Sequence, residues 1–208
     1  MKILAIGSHP DDIEFGCGGT LLKFSKNPEN EIYLLVMTKG EKGGKKDVRE
    51  KEQEESGRIL KVKKIFWGGY EDTKVPFNAE SIQRIESVIK EVNPGLIFVF
   101  WSEDAHQDHR NTSLSTITAA RYIRNILFYE VPTTQNFSPN VFVDIGDVIE
   151  EKMELLKAHD SQVYATRIAG LSILESARAT AYFRGYQGRV KFAEGFVSHR
   201  LSLFYYKE

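Results

Sequence analysis

The chain has 208 residues, 41% of them hydrophobic and 27% charged, with a formal net charge of −1 at neutral pH. That length suits one α/β domain, which buries roughly 70% of its unfolded surface and needs no covalent staples. The near-neutral balance gives no general pull toward nucleic acid or an anionic membrane, no apolar run approaches the roughly 20 residues of a membrane span, and the lone Cys17 excludes an intrachain disulfide.

Residues 3–7 form a short apolar run closed by a turn-rich stretch, the pattern of a buried first strand. The run meets His9, Pro10, Asp11 and Asp12 with no cleavage-like site, which predicts a cytoplasmic protein rather than a secreted one. A short helix is predicted over residues 20–25, a second strand over 32–38, and a polar helix over 47–60 with Asp47 as its N-cap. A third strand follows at 64–67. Over 79–92, Ile82, Ile85, Val88, Ile89 and Val92 share one helical face, and Asn93-Pro94-Gly95 stops the helix. Residues 96–101 make the clearest buried strand, followed by a helix over 112–124, strands over 127–131 and 141–145, and a helix marked by Ile149, Met153 and Leu156. The spacing predicts a last helix over 168–182, and Leu201, Leu203 and Tyr205 alternate like a final strand. Residues 68–77 and 132–140 read as loops. Strand–helix alternation predicts a Rossmann-like, mostly parallel sheet flanked by helices on both faces, as one domain over residues 1–208.

Two polar clusters follow strands directly: Ser8-His9-Pro10-Asp11-Asp12-Ile13-Glu14 after the first, and Glu103-Asp104-Ala105-His106-Gln107-Asp108-His109 after the fourth. In the common strand order 3-2-1-4-5-6, strands one and four are neighbours at the topological switch, where ligands bind. The spacing of His9 and Asp12 points both toward one centre while Asp11 leaves in another direction, and Pro10 keeps His9 extended. With His109 they form two imidazoles and one carboxylate, a usual set for catalytic zinc. The competing interpretation, polar loop residues in a wet crevice, is weakened because both clusters sit at the same switch point.

Gly16, Gly18 and Gly19 suggest a dinucleotide site only weakly, since Leu21 occupies the third glycine position and no acid ends strand two; close packing of helix on sheet explains them better. Cys17 reads as a small buried residue and Glu14 as a structural acceptor. The loop with Lys39, Lys42, Lys45 and Lys46 reads as a solvated face, with an anion-attracting lid as the sharper alternative. Trp67 and Tyr70 offer sugar stacking or rim packing, Trp101 a cavity wall, and His159 a place along the site.

His9-Pro10-Asp11-Asp12 followed by Ile13-Glu14-x-Gly-x-Gly-Gly, together with His106-x-Asp108-His109, resembles the two motifs of the PIG-L/LmbE-like zinc deacetylases. Gly40-Glu41, Arg49-x-x-Glu52, His159-Asp160-Ser161-Gln162 and Ala193-Glu194-Gly195-Phe196 extend the resemblance over much of the chain. Gln107 departs from the proline that many members carry there. The resemblance implies a single Zn2+ held by His9, Asp12 and His109, with Asp11 as general base. It implies a protonated His106 as electrophile, oriented by Asp108, and Arg49 as a substrate contact. The activity implied is removal of acetyl from a small N-acetylglucosamine-type conjugate, with no nucleic-acid partner and no membrane insertion; a homo-oligomer is left open. Two other classes compete: a metal-dependent phosphoesterase, which needs two ions and more ligands than are evident, and a non-catalytic nucleotide- or sugar-binding module.

Overall fold

A computed structural model describes residues 1–202. The elements run β1 (Lys2–Gly7), α1 (Asp12–Ser25), β2 (Glu31–Val36), α2 (Lys46–Ile59), β3 (Lys64–Trp67), α3 (Ala79–Val92), β4 (Leu96–Phe100), α4 (Gln107–Ala119), β5 (Ile126–Tyr129), β6 (Val141–Asp144) and α5 (Ile149–Lys157). A 3-10 turn (Asp160–Gln162), α6 (Ile173–Gly188) and β7 (Ala193–Arg200) complete them. The seven strands form one sheet in the order β3-β2-β1-β4-β5-β7-β6. The first five are parallel, and β7 runs antiparallel to both β5 and β6. This is the expected order through strand five, with an antiparallel edge added.

The parallel strands are apolar along nearly their whole length because both faces are covered. All five residues of β4 and all four of β5 are buried. Reversal of strand order between β1 and β4 divides the helices between the two faces: α3 packs on α4, while α1 packs on α5 and α5 on α6. The stripe on α3 buries Ile85, Val88, Ile89 and Val92, each such side chain contributing about 1.5–3 kcal/mol. Among the described residues, no helix is long and apolar enough to cross a membrane.

Several boundaries differ from expectation, each for a physical reason. Helix α1 starts at Asp12, not residue 20, so the three glycines lie inside it. A Cβ on Gly16 would sit 2.1 Å from the Tyr129 ring, whose hydroxyl donates to Ile6 O at 2.7 Å; the glycine lets the helix lie on the sheet. Helix α2 begins at Lys46 with Lys45 at its N-cap, and Asp47 falls in its first turn instead. Helix α4 begins at Gln107 rather than 112, so the second polar cluster is a helix start. Helix α6 begins at Ile173 because Ser172 and Glu175 form a capping box there. The last strand lies upstream of the expected one. Leu201 is outside it, and Leu203 and Tyr205 lie outside the described residues.

Strand β7 also carries Glu194 into the interior, where its carboxylate accepts from Gly19 N, Thr20 N and the Thr20 hydroxyl at 2.6–2.8 Å. Lys152 Nζ lies 2.6 Å from Glu194 Oε1 and donates to Phe15 O at 2.6 Å. This buried pair grips α1 one to two turns behind the residues that open it.

Candidate active site

Strands β1 and β4 are hydrogen-bonded neighbours, with Ile3 paired to Leu96 and Ala5 to Phe98. Their carboxyl ends therefore release both polar clusters into one crevice. The result is a cavity of about 410 Å³ whose lining includes His9, Asp11, Asp12, Arg49, His106 and His109. The first cluster turns sharply into α1: Asp11 is the N-cap, with φ 95 in the left-handed region. Such a conformation is uncommon outside glycine and is concentrated at functional sites.

His9, Asp12 and His109 come together here, with Asp12 facing the two imidazoles through different oxygens. His9 Nδ1 lies 3.2 Å from Asp12 Oδ2 and 3.3 Å from His109 Nε2, and His109 Nε2 lies 3.5 Å from Asp12 Oδ1. Tetrahedral zinc with bonds of about 2.0–2.1 Å holds its ligand atoms about 3.3 Å apart. The donor types fit a zinc ion, and the spacing of His9 Nδ1 and His109 Nε2 matches that geometry. Asp12 is fixed by accepting the backbone N–H of His9 at 2.7 Å and of Ser8 at 3.2 Å. Burial would raise its carboxyl, but the imidazoles of His109 and His9 hold it well below the usual carboxylate range.

Each imidazole is backed by carboxylate on its other nitrogen. His9 Nε2 lies 3.1 Å from Asp72 Oδ1 and 3.3 Å from Asp108 Oδ2. His109 Nδ1 lies 3.2 Å from Asp104 Oδ1 and 3.3 Å from the Thr133 hydroxyl. This arrangement fixes ring orientation and tautomer in metal sites, leaving Nδ1 of His9 and Nε2 of His109 free to face the centre. Burial lowers His9, while hydrogen bonds to Asp108, Asp12 and Asp72 raise it well above its ordinary value, so a cation bound there competes with a proton. Asp72 and Asp104, both buried, carry no periodic or motif signal; Asp104 is distinguished only by lying in the second cluster, and Asp72 lies in the stretch read as a plain loop.

Asp108 does not orient His106 with its side chain. Its carboxylate accepts from Thr73 N at 2.7 Å and Val75 N at 3.2 Å, besides facing His9, because it sits in the first turn of α4 on the side toward that loop. What reaches His106 is the Asp108 backbone: its N–H donates to His106 Nδ1 at 3.2 Å, making His106 the N-cap of α4. An Nδ1 that accepts leaves the proton on Nε2 and the ring neutral. Burial, then His109 and His9, lower the His106 imidazole, and the positive end of the helix favours the same neutral form. Both features favour a neutral ring with its proton on Nε2 over the protonated imidazole expected.

Asp11 is pushed up to about 6, chiefly by burial, with the Arg49 guanidinium opposing the shift. Arg49 Nη2 lies 3.2 Å from Asp11 Oδ2 and donates to Pro10 O at 2.6 Å, while Nη1 donates to Gly40 O at 2.8 Å. Arg49 lines the cavity, as a substrate contact requires, yet both terminal nitrogens are engaged, Nη2 with the Asp11 turn and Nη1 with the loop after β2.

The remaining candidates separate cleanly. Glu14 accepts from Gln53 and Ser56 at 2.7 and 2.5 Å and lies 3.5 Å from His159 Nε2, a buried structural cluster behind α1. His159 is not part of the cavity lining, whereas Gln162 is. Lys39 pairs with Glu50 and lies over the Trp67 ring, and only Lys42 of the lysine loop reaches the cavity. Trp101 packs on Phe128 and Phe137, away from the cavity wall expected for it.

Comparison with known proteins agrees with this geometry. The family model described as "PIG-L: GlcNAc-PI de-N-acetylase" matches residues 4–120, which include both polar clusters. The chain is 31% identical over 191 residues to a diacetylchitobiose deacetylase of Thermococcus kodakarensis, covering 77% of this chain and 70% of that one. It is 28% identical over 192 residues to a Bacillus anthracis protein described as "Probable N-acetyl-alpha-D-glucosaminyl L-malate deacetylase 2", covering 81% and 84%. Among solved structures, the N,N'-diacetylchitobiose deacetylase of Pyrococcus horikoshii superposes with a TM-score of 0.84 at 28% identity, covering 95% of this chain and 83% of that one.

Proposed function

Because the chain belongs to the PIG-L family of de-N-acetylases, we propose that it is a zinc-dependent N-deacetylase acting on an N-acetylglucosamine-type small-molecule conjugate, giving acetate and a free amine. The observation that carries this reading is the convergence of His9, Asp12 and His109: the two imidazole nitrogens lie 3.3 Å apart, each is 3.2–3.5 Å from one of the two Asp12 oxygens, and a carboxylate lies behind each imidazole. Relatives described as deacetylases of diacetylchitobiose and of an N-acetylglucosaminyl malate support the substrate class. A lone buried Cys17 accords with a cytoplasmic location.

His9, Asp12 and His109 would hold the ion. Zinc held there would lower the pKa of a water to about 7 and would polarise the amide carbonyl. Asp11 accepts a proton from the attacking water and returns it to the leaving nitrogen, converting a poor leaving group into a neutral amine. His106 donates from Nε2 to the carbonyl oxygen as negative charge develops there, a contribution of about 3–4 kcal/mol for one well-placed donor. Arg49 is a positioning residue that holds the Asp11 turn. Phe15, Val131 and Ile173 line the same cavity and lower its polarity, which strengthens these charge interactions.

Metal analysis joined to an acetate assay tests the proposal. The expected result is about one zinc per chain, with acetate release abolished by a chelator and restored by zinc. A fully active metal-free protein would overturn the mechanism. Phosphate release from simple monoesters at comparable rates would instead favour the phosphoesterase alternative.

A further inference from the structure

Among the described residues, two cations at the cavity rim have no hydrogen-bonded or ion-paired side-chain partner. Lys42, on the loop after β2, and Arg167, between the 3-10 turn and α6, both line the cavity and are exposed. Among the described residues, neither side chain makes a hydrogen bond or ion pair. Glu71, the carboxylate that feels Lys42, is itself paired with Lys74. The carboxylates that do line the cavity are all engaged: Asp11 with Arg49, Asp12 with His9 and His109, and Asp72 with His9 and the Lys42 N–H. Positive charge at the rim is therefore not neutralised from within.

The backbone at Arg167 is also unusual. Its φ is 59, a left-handed conformation for a residue with a long side chain. The Thr166 hydroxyl secures the turn by donating to Leu171 O at 2.7 Å and accepting from Ile168 N at 3.3 Å, and Ile173 N closes the segment onto Val163 O at 2.8 Å. Gln162 Nε2 donates to Gly43 O at 3.3 Å, joining this segment to the loop that carries Lys42. Two cations from separate segments are thus tied into one rim.

We propose that the substrate carries an anionic group, carboxylate or phosphate, on the part of the conjugate that projects from the cavity, and that Lys42 and Arg167 recognise it. The proposal rests on the deacetylase reading for the identity of the reacting end. The planar fork of an arginine and a flexible ammonium on the same cavity rim suit either anion, and an uncharged sugar chain offers them no counter-charge.

Three N-acetylglucosaminides that differ only in the aglycone provide the test: a carboxylate, its uncharged amide, and a phosphate. With the zinc-loaded full chain at low salt, kcat/KM for at least one anionic conjugate should exceed that for the amide by about tenfold, the worth of one good charged hydrogen bond. The ratio should fall with added salt and approach one in the Arg167→Gln, Lys42→Gln double variant, mainly through KM. The larger of the two anionic rates identifies which anion the rim fits. Equal rates on all three, or a preference that persists in the double variant, would overturn the proposal. Calorimetric binding of the three free-amine products makes the same comparison without turnover. If no conjugate releases acetate while an anionic product binds more tightly than the amide product, the deacetylase reading fails and the rim assignment stands; equal product binding overturns the rim.

Discussion

Asp104 Oδ1 lies 3.2 Å from Nδ1 of His109, on the side of the ring opposite the nitrogen that faces His9 and Asp12. The same carboxylate oxygen accepts the His106 N–H at 2.8 Å, so one side chain positions both imidazoles of the second cluster. Asp104→Ala should lower zinc affinity by about 10–100-fold, the usual effect of losing such a partner. Competition with a chromogenic chelator measures it, and unchanged affinity would remove Asp104 from the support of His109.

Adjacent residues divide the labour at the first cluster. Asp12→Asn removes an anionic donor facing two imidazoles and should weaken zinc binding sharply. Asp11→Asn should keep its zinc while turnover falls by about 10²–10⁴. If the Asp11 variant is the one that arrives without metal, the two roles have been exchanged.

The acidic limb of the pH–rate profile should belong to Asp11. A base works only when ionised, and this carboxyl sits at about 6, so kcat/KM should fall as pH drops through that value. Arg49 opposes the upward shift. Arg49→Met removes that cation, raises Asp11 further and should move the limb to higher pH. A limb that stays in place or moves toward acid contradicts the pairing.

His106→Ala should retain zinc and lose about 10²–10³ in kcat, as for one oxyanion donor. Because Nδ1 already accepts the Asp108 N–H, the ring acts neutral, and no alkaline decline should be traceable to its deprotonation. An alkaline limb that disappears in the alanine variant would restore the protonated electrophile.

Behind α1, the Lys152–Glu194 pair is buried on both sides. Lys152→Met strands a carboxylate and should destabilise the fold by about 3–5 kcal/mol in urea denaturation. Adding Glu194→Gln should recover part of the loss, and a fully additive double variant would show that the two groups act independently.

Strand order and the convergence of the two clusters were legible because short apolar runs mark parallel strands, and the 3-2-1-4 order makes residues 9 and 109 neighbours. Helix starts were less legible. The glycines read as close packing of helix on sheet, yet nothing local shows that the partner of Gly16 is Tyr129, more than a hundred residues away, or that the helix already begins at Asp12. Asp72 was invisible for a related reason: its partner His9 comes from another loop, and a lone carboxylate in an aperiodic stretch carries no local signature. Asp108 was seen, but the resemblance paired it with His106, while the first turn of α4 aims its carboxylate at His9. The Glu194 strand escaped because glutamate and glycine interrupt the apolar alternation that marks strands elsewhere.

The left-handed turn at Asp11 also bears on how such a protein could age. Glycine occupies that conformation freely and asparagine readily, so substitution by either should leave the chain folded and the ligand trio intact. Disabling the chemistry therefore carries little risk of triggering degradation. A lineage whose substrate vanished would retain a folded, metal-loaded protein that still held the sugar, and a catalyst would become a receptor through one altered residue.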